Sequence, residues 1–306
     1  MNREQLLKNL ELPTKRIDAI LDTDAYNEID DQFAIAYMLK SEERINTLGI
    51  CAAPFFNRRS SGPRDGMERS YGEIIKLLEL MGKEELASKV YRGSTEYLPD
   101  DNTPVMSDAA EYIVSEARKY SPEDPLYIVA IGAITNVASA ILLDREAMVN
   151  NTVVVWLGGH ATHWDHTREF NMKQDFAGAR VLFGCGVPVV QLPCMGVVSE
   201  FKTTRWELEA WLKGKNPIAN YLAENTISVA ESYAAGTAWS RCIWDVTAVA
   251  WLLNDNDRFM KSYLMPAPIP QDEGHYSYDP HRHVLRYVYA INRDALFTHL
   301  FETILK

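Results

Sequence analysis

Apolar runs of strand length recur along the first two thirds of the chain. Most are followed by a polar turn and then by apolar residues at helical spacing. Ile17 to Leu21, Ile45 to Ala53, Leu126 to Ile131, Thr152 to Leu157 and Val187 to Leu192 are near-continuous apolar runs, as expected of strands buried on both faces. Val90 to Arg92 is a shorter, weaker one. Helices are predicted over residues 2–11, from Phe33 past Leu39, from Met67 to about Met81, from Asp108 to near Tyr120, from the Gly132–Asn136 turn to about Asp144, and from Asp175 to before Gly184. Asp108 with Glu111 has the spacing of a capping box. Residues 159–171 are polar and histidine-rich and read as a loop.

After Leu192 the pattern changes. Helices dominate from Thr204, capped with Glu207, to Leu253. Pro266, Pro268 and Pro270 predict a rigid extended segment, residues 276–291 alternate like a hairpin, and residues 294–306 form a last helix. Six strands alternating with helices predict an α/β fold: an open, mostly parallel sheet covered on both faces, with a helical C-terminal third. No repeat or linker divides residues 1–306, which read as one domain.

Composition narrows the function classes. The chain carries 31 Lys and Arg against 42 Asp and Glu, a formal charge of -11. An acidic surface argues against nucleic acid as the partner and suits a small neutral substrate or a cation. The four cysteines, Cys51, Cys185, Cys194 and Cys242, have no zinc spacing and suggest a reduced, cytoplasmic protein. The N-terminal residues lack a signal-peptide core, and no apolar segment reaches membrane-spanning length.

The densest chemistry lies between the first strand and its helix. Asp22, Asp24, Glu28, Asp30 and Asp31 fall within ten residues. Acids so crowded either point into water or surround a hard cation held by carboxylate oxygens. Ligands in such sheets bind beyond the carboxyl ends of the strands. Asn57, the Thr135-Asn136 turn, Gly158-Gly159 with Glu169-Phe170-Asn171, and the late Asp245 all fall at that edge. An oxygen-lined cation site from Asp24, Asp31, Asp245 and a backbone carbonyl follows.

In these stretches the sequence resembles the inosine-uridine preferring nucleoside hydrolases. The carriers are Asp22-Thr23-Asp24 with Asp30-Asp31, Gly132 to Asn136, Gly158-Gly159 with Glu169-Phe170-Asn171 and Asp175, and Asp245, in the family's order over residues 16–253. The resemblance implies a Rossmann-like α/β fold and one Ca²⁺ held by Asp24, Asp31, Asp245 and the main-chain oxygen of Thr135. It implies ribose contacts from Asp30, Asn57, Glu169 and Asn171, and Asp24 as the base that activates water to cleave the N-glycosidic bond of a ribonucleoside. Assembly into homodimers or tetramers is implied as well.

Two departures stand out. The turn Ala25–Ile29 is two residues longer than the family's form, and Trp244 replaces the family histidine before the late Asp. The family asparagine ahead of Glu-Phe-Asn has no clear match, and His163 lies nearest; with Trp244 it is assigned to substrate binding. His160, His163 and His166 are candidates for protonating the leaving base. Two rival readings remain: a catalytically weak sugar-binding relative, favoured by Trp244, and a Mg²⁺-dependent phosphatase, suggested by Asp22-x-Asp24.

Overall fold

The computed structural model describes residues 1–306. Twelve strands follow in chain order. The first six are β1 (Ile17–Thr23), β2 (Ile45–Ala52), β3 (Val90–Arg92), β4 (Leu126–Ala130), β5 (Thr152–Leu157) and β6 (Val189–Leu192). The later six are β7 (Lys202–Thr203), β8 (Arg241–Cys242), β9 (Met260–Pro266), β10 (Ile269–Pro270), β11 (Tyr276–Ser277) and β12 (Val284–Ile291). Eight of them form one sheet in the order β3-β2-β1-β4-β5-β6-β12-β9, parallel throughout except at the last pair.

The apolar runs are continuous because both sheet faces are covered. Along β1, Ala19 and Leu21 enter a core of 56 buried residues on one face, while Ile20 enters a core of 30 on the other. β4 and β5 divide the same way: Val129 and Val155 face the first core, Ile128 and Val154 the second. This is the period-2 alternation of a strand with two apolar faces. The helix Asp31–Leu39 is buried on all sides, as expected of a helix wedged inside the larger core. The thiols of all four cysteines are free and buried. No helix is long and apolar enough to cross a membrane.

The sheet has two strands more than the six predicted. β12 pairs antiparallel with β9, from Val284 opposite Pro266 to Ile291 opposite Met260, and docks parallel on β6 through Arg286 and Tyr287. The predicted hairpin within 276–291 is therefore replaced: its second arm pairs with residues before the prolines, and Tyr276–Ser277 pairs only with Ile269–Pro270. β9 was hidden because it is an edge strand, with only Met260 fully buried, so its sequence lacks the apolar run of a central strand. Residues 159–171 are not wholly loop, since a short helix starts at Phe170. The helix predicted from Asp108 is capped by Ser107, whose side chain accepts from the Ala110 N–H, rather than by a box with Glu111. The capping box at Thr204 and Glu207 forms as expected.

Candidate active site

Beyond the carboxyl ends of β1, β2, β4, β5 and β6 lies a cleft of about 280 Å³. Its acids come from three places. β1 ends at Thr23 and delivers Asp24. The helix after it begins at Asp31, with Asp30 at the N-cap position. The helix Val246–Trp251 begins after Asp245. Asp30 and Asp245 hold N-cap positions, where a carboxylate usually accepts from the first-turn N–H groups, yet neither side chain makes a cap bond. Their oxygens turn toward each other instead: Asp30, Asp31 and Asp245 each offer an oxygen within 4.8 Å of the others, and all three are buried.

Burial and mutual repulsion hold this cluster reluctant to ionise. Burial, then the charges of Glu28 and Asp31, pushes Asp30 up to about 8. Burial pushes Asp31 to about 6, restrained by the Thr23 hydroxyl, which donates to its Oδ1 at 2.5 Å. Asp24 and Asp245 are raised by burial and then by their acidic neighbours. Asp24 Oδ2 is buried without any hydrogen-bond partner. Gly132 makes room for this residue, since a Cβ there would stand 3.0 Å from Asp24 Oδ1. Crowded acids that decline their capping bonds and keep an orphaned oxygen fit a hard cation, which would satisfy them together.

The opposite wall is built from side chains held in place by the main chain. Glu169 accepts from the main-chain N–H groups of Gly159 (3.1 Å), Asn171 (2.9 Å) and Met172 (3.0 Å), so it caps the helix Phe170–Gln174; burial still raises its carboxyl. Asn171 Nδ2 donates to the carbonyls of Ile131 (3.1 Å), just past β4, and Leu157 (3.0 Å), the last residue of β5, which fixes its amide and leaves Oδ1 without a protein donor. Asn57 also lines the cleft, its Nδ2 donating to Asn27 Oδ1 at 2.5 Å. Trp244 and Phe170 supply apolar wall.

Of the site residues read from the sequence, Asp24, Asp30, Asn57, Glu169, Asn171, Trp244 and Asp245 line one cleft, and Asp31 is packed against Asp30 and Asp245. Two others lie apart from the cleft lining. Thr135 does not line the cleft: it opens the helix Thr135–Leu143, and its hydroxyl donates to Asp175 at 2.6 Å. The residue at the cleft wall is Ile131, just before that turn, whose carbonyl accepts from Asn171 Nδ2. His163 is solvent-exposed and stands near Gly196 instead.

The histidine in the cleft is His160. Gly159, at φ 75°, turns the chain there, and the His160 ring accepts from the Met195 N–H at Nδ1, 3.2 Å. Burial, and then the neighbouring His166, lowers His160 to about 4, so it is neutral at pH 7. Sequence reasoning also missed Cys194 and Met195, which reach the cleft from the loop after β6, and Asn27. The phosphatase reading fails here as well. Asp22 points away from the cleft and is buried, with its Oδ1 accepting from Asn136 Nδ2 at 2.7 Å.

Comparison with known proteins bears on the family and the fold. The sequence model of the inosine-uridine preferring nucleoside hydrolases matches residues 19–296. The pyrimidine-specific ribonucleoside hydrolase RihA of Photobacterium profundum is 27% identical over 238 residues, which cover 69% of this chain and 76% of that protein. The probable uridine nucleosidase 2 of Arabidopsis thaliana is 26% identical over 135 residues, 43% of this chain and 41% of that protein. Among solved structures, the purine-preferring ribonucleoside hydrolase from Gardnerella vaginalis superposes with a TM-score of 0.72 at 20% identity, covering 94% of this chain and 98% of that one.

Proposed function

The chain belongs to the inosine-uridine preferring nucleoside hydrolase family, hydrolases of the ribonucleoside N-glycosidic bond, and from that premise we propose how its own cleft performs the reaction. The observation that carries the reading is the buried Asp30, Asp31 and Asp245 cluster beside the orphaned Asp24 oxygen.

Asp24, Asp31, Asp245 and the carbonyl of Ile131 are the residues that would hold a Ca²⁺ ion. A protein cage rich in carboxylates suits calcium, which takes six to eight oxygens, better than magnesium, which retains its waters. When bound, the ion supplies positive charge that keeps these carboxylates ionised and templates a vicinal diol and a water. Asp30, Asn57 and Asn171 bind the ribose hydroxyls, Asn171 through its free Oδ1. Glu169, held by three N–H groups, accepts from the sugar with a charge-assisted bond. Asp24 takes the proton of the attacking water as the glycosidic bond lengthens toward an oxocarbenium-like state.

The leaving base has no histidine acid in this site. Trp244 occupies the family position, and His160 is neutral, so it offers an N–H to a departing base rather than a full proton. Trp244 and Phe170 shelter the base as an apolar wall.

The test is a panel of uridine, cytidine, inosine, adenosine and guanosine, assayed for free base and reducing sugar with Ca²⁺ and after chelation. Equimolar base and ribose, lost on chelation and restored by Ca²⁺, is the expected outcome. Release that persists undiminished in chelator would remove the metal from the mechanism. Ribose binding with no turnover on any nucleoside would instead favour a sugar-binding relative, the reading that Trp244 supports.

A further inference from the structure

We propose that a cationic pocket beside the cleft receives a phosphate or diphosphate attached to the substrate's 5′-carbon, making this protein selective for phosphorylated ribosyl compounds. The inference rests on the cleft being a ribosyl site. An open pocket of about 430 Å³ is lined by Tyr26, Arg58, Arg59, Ser60, Ser61 and Arg69. In a chain of charge -11, residues 58–64 carry three arginines and no acid.

These cations are little compensated. Arg58 is exposed and has no carboxylate partner. Arg59 spends two bonds on main-chain carbonyls, those of Asn27 (3.2 Å) and Glu28 (3.4 Å). Arg69 pairs with one carboxylate, Asp65, at 2.8 Å. The Arg59 guanidinium stands 4.7 Å from the Tyr26 ring centre and that of Arg69 5.7 Å, so one aromatic ring orients two guanidinium groups. Guanidinium groups match phosphate oxygens in charge and in fork geometry.

The pocket and the cleft share a wall. Asn27, Glu28 and Asn57 line the cleft, while their chain neighbours Tyr26 and Arg58 line the pocket. That wall includes the turn Ala25–Ile29. In the proposed reaction the 2′- and 3′-hydroxyls face the acidic cluster and the base faces Trp244. The 5′-oxygen is left as the point from which a substituent leaves the cleft. A phosphate there would be repelled by the acids, and the arginines offset that repulsion.

Calorimetry on the full-length, calcium-loaded protein decides the matter with ribose, ribose 5-phosphate and sulfate as probes. Ribose 5-phosphate should bind at least ~10-fold more tightly than ribose at low salt, and the advantage should shrink as salt screens the arginines. Sulfate should compete with ribose 5-phosphate and leave ribose binding unaffected. The double variant Arg58→Gln/Arg69→Gln should lose the advantage while keeping the wild-type affinity for ribose, which also reports a folded cleft. Arg59 is left intact because it holds the turn.

Equal affinities in the wild type, or a preference that survives in the double variant, overturns the proposal. So does sulfate binding without any preference for the sugar phosphate. If ribose itself does not bind, the cleft reading fails and this inference fails with it; if ribose binds and the phosphate adds nothing, only this inference fails.

Discussion

Calcium should stabilise the protein more strongly as pH rises, because Asp30, packed against the acids that would hold it, keeps its proton up to about pH 8 without it. At 4.8 Å or less, two carboxylates repel by about 3–4 kcal/mol at an effective dielectric of 20. The metal-free fold avoids most of this by keeping protons. Raising Asp30 from 3.8 to about 8 separates its neutral and ionised forms by about 6 kcal/mol. Below pH 4 the group is neutral in both the folded and unfolded chain and costs nothing. As pH rises from 4 to 8 the unfolded chain ionises and the folded one does not, so metal-free stability falls through this window. Above about 8 the loss is complete.

Calcium must displace at least one proton near neutrality. Its affinity should therefore rise about tenfold per pH unit between pH 6 and 7. At 100 times its Kd the ion contributes about 2.7 kcal/mol, about 5 °C in Tm for a chain of this length. Thermal melts with calcium and with chelator at pH 5.5 and 8, together with calorimetry in buffers of different ionisation enthalpy, read both effects. A calcium affinity that does not change with pH, or a larger Tm gain at pH 5.5 than at 8, would refute the argument.

Other outcomes follow from single side chains. Asp24→Asn should lower kcat by about 10²–10⁴-fold, the usual worth of a general base, measured with any nucleoside the wild type turns over; near-normal kcat removes Asp24 from proton transfer. Because no acid meets the leaving base, a p-nitrophenyl riboside, whose leaving group needs no proton, should be cleaved faster than any natural nucleoside by about 10²-fold or more; slower cleavage would point to an undetected proton donor. Asn136→Ala should cost about 2–4 kcal/mol in chemical denaturation, since Asn136 donates to Asp22 and to the Ala52 carbonyl and accepts from the Ser94 N–H, all buried. A loss below 1 kcal/mol would mean that water replaces the amide.

The central sheet was legible because its strands are buried on both faces and therefore read as unbroken apolar runs; β1, β4 and β5 needed nothing more. β9 escaped because an edge strand with a wet face mixes polar and apolar residues, and the partner of β12 was misjudged because their pairing bridges a proline-rich excursion. The acids Asp24, Asp30, Asp31 and Asp245 were legible because carboxylates are chemically conspicuous. The place of Ile131 in the cleft wall was not, because nothing in its side chain marks it and only the backbone path brings it there. The choice among His160, His163 and His166 was equally hidden. Their orientations depend on a turn at Gly159 and a bond from Met195, which no periodicity announces.

The placement of β12 has a consequence for how the molecule is made. This strand lies against β6, yet roughly 90 residues of chain separate the two, which a ribosome adding ~5–20 residues per second delivers over several seconds. During that interval β6 is an open border of the nascent sheet, and Asp24, Asp30 and Asp31 await Asp245. Birth of the active centre is thus postponed to late translation, and the half-made sheet is the form that a chaperone would have to shield.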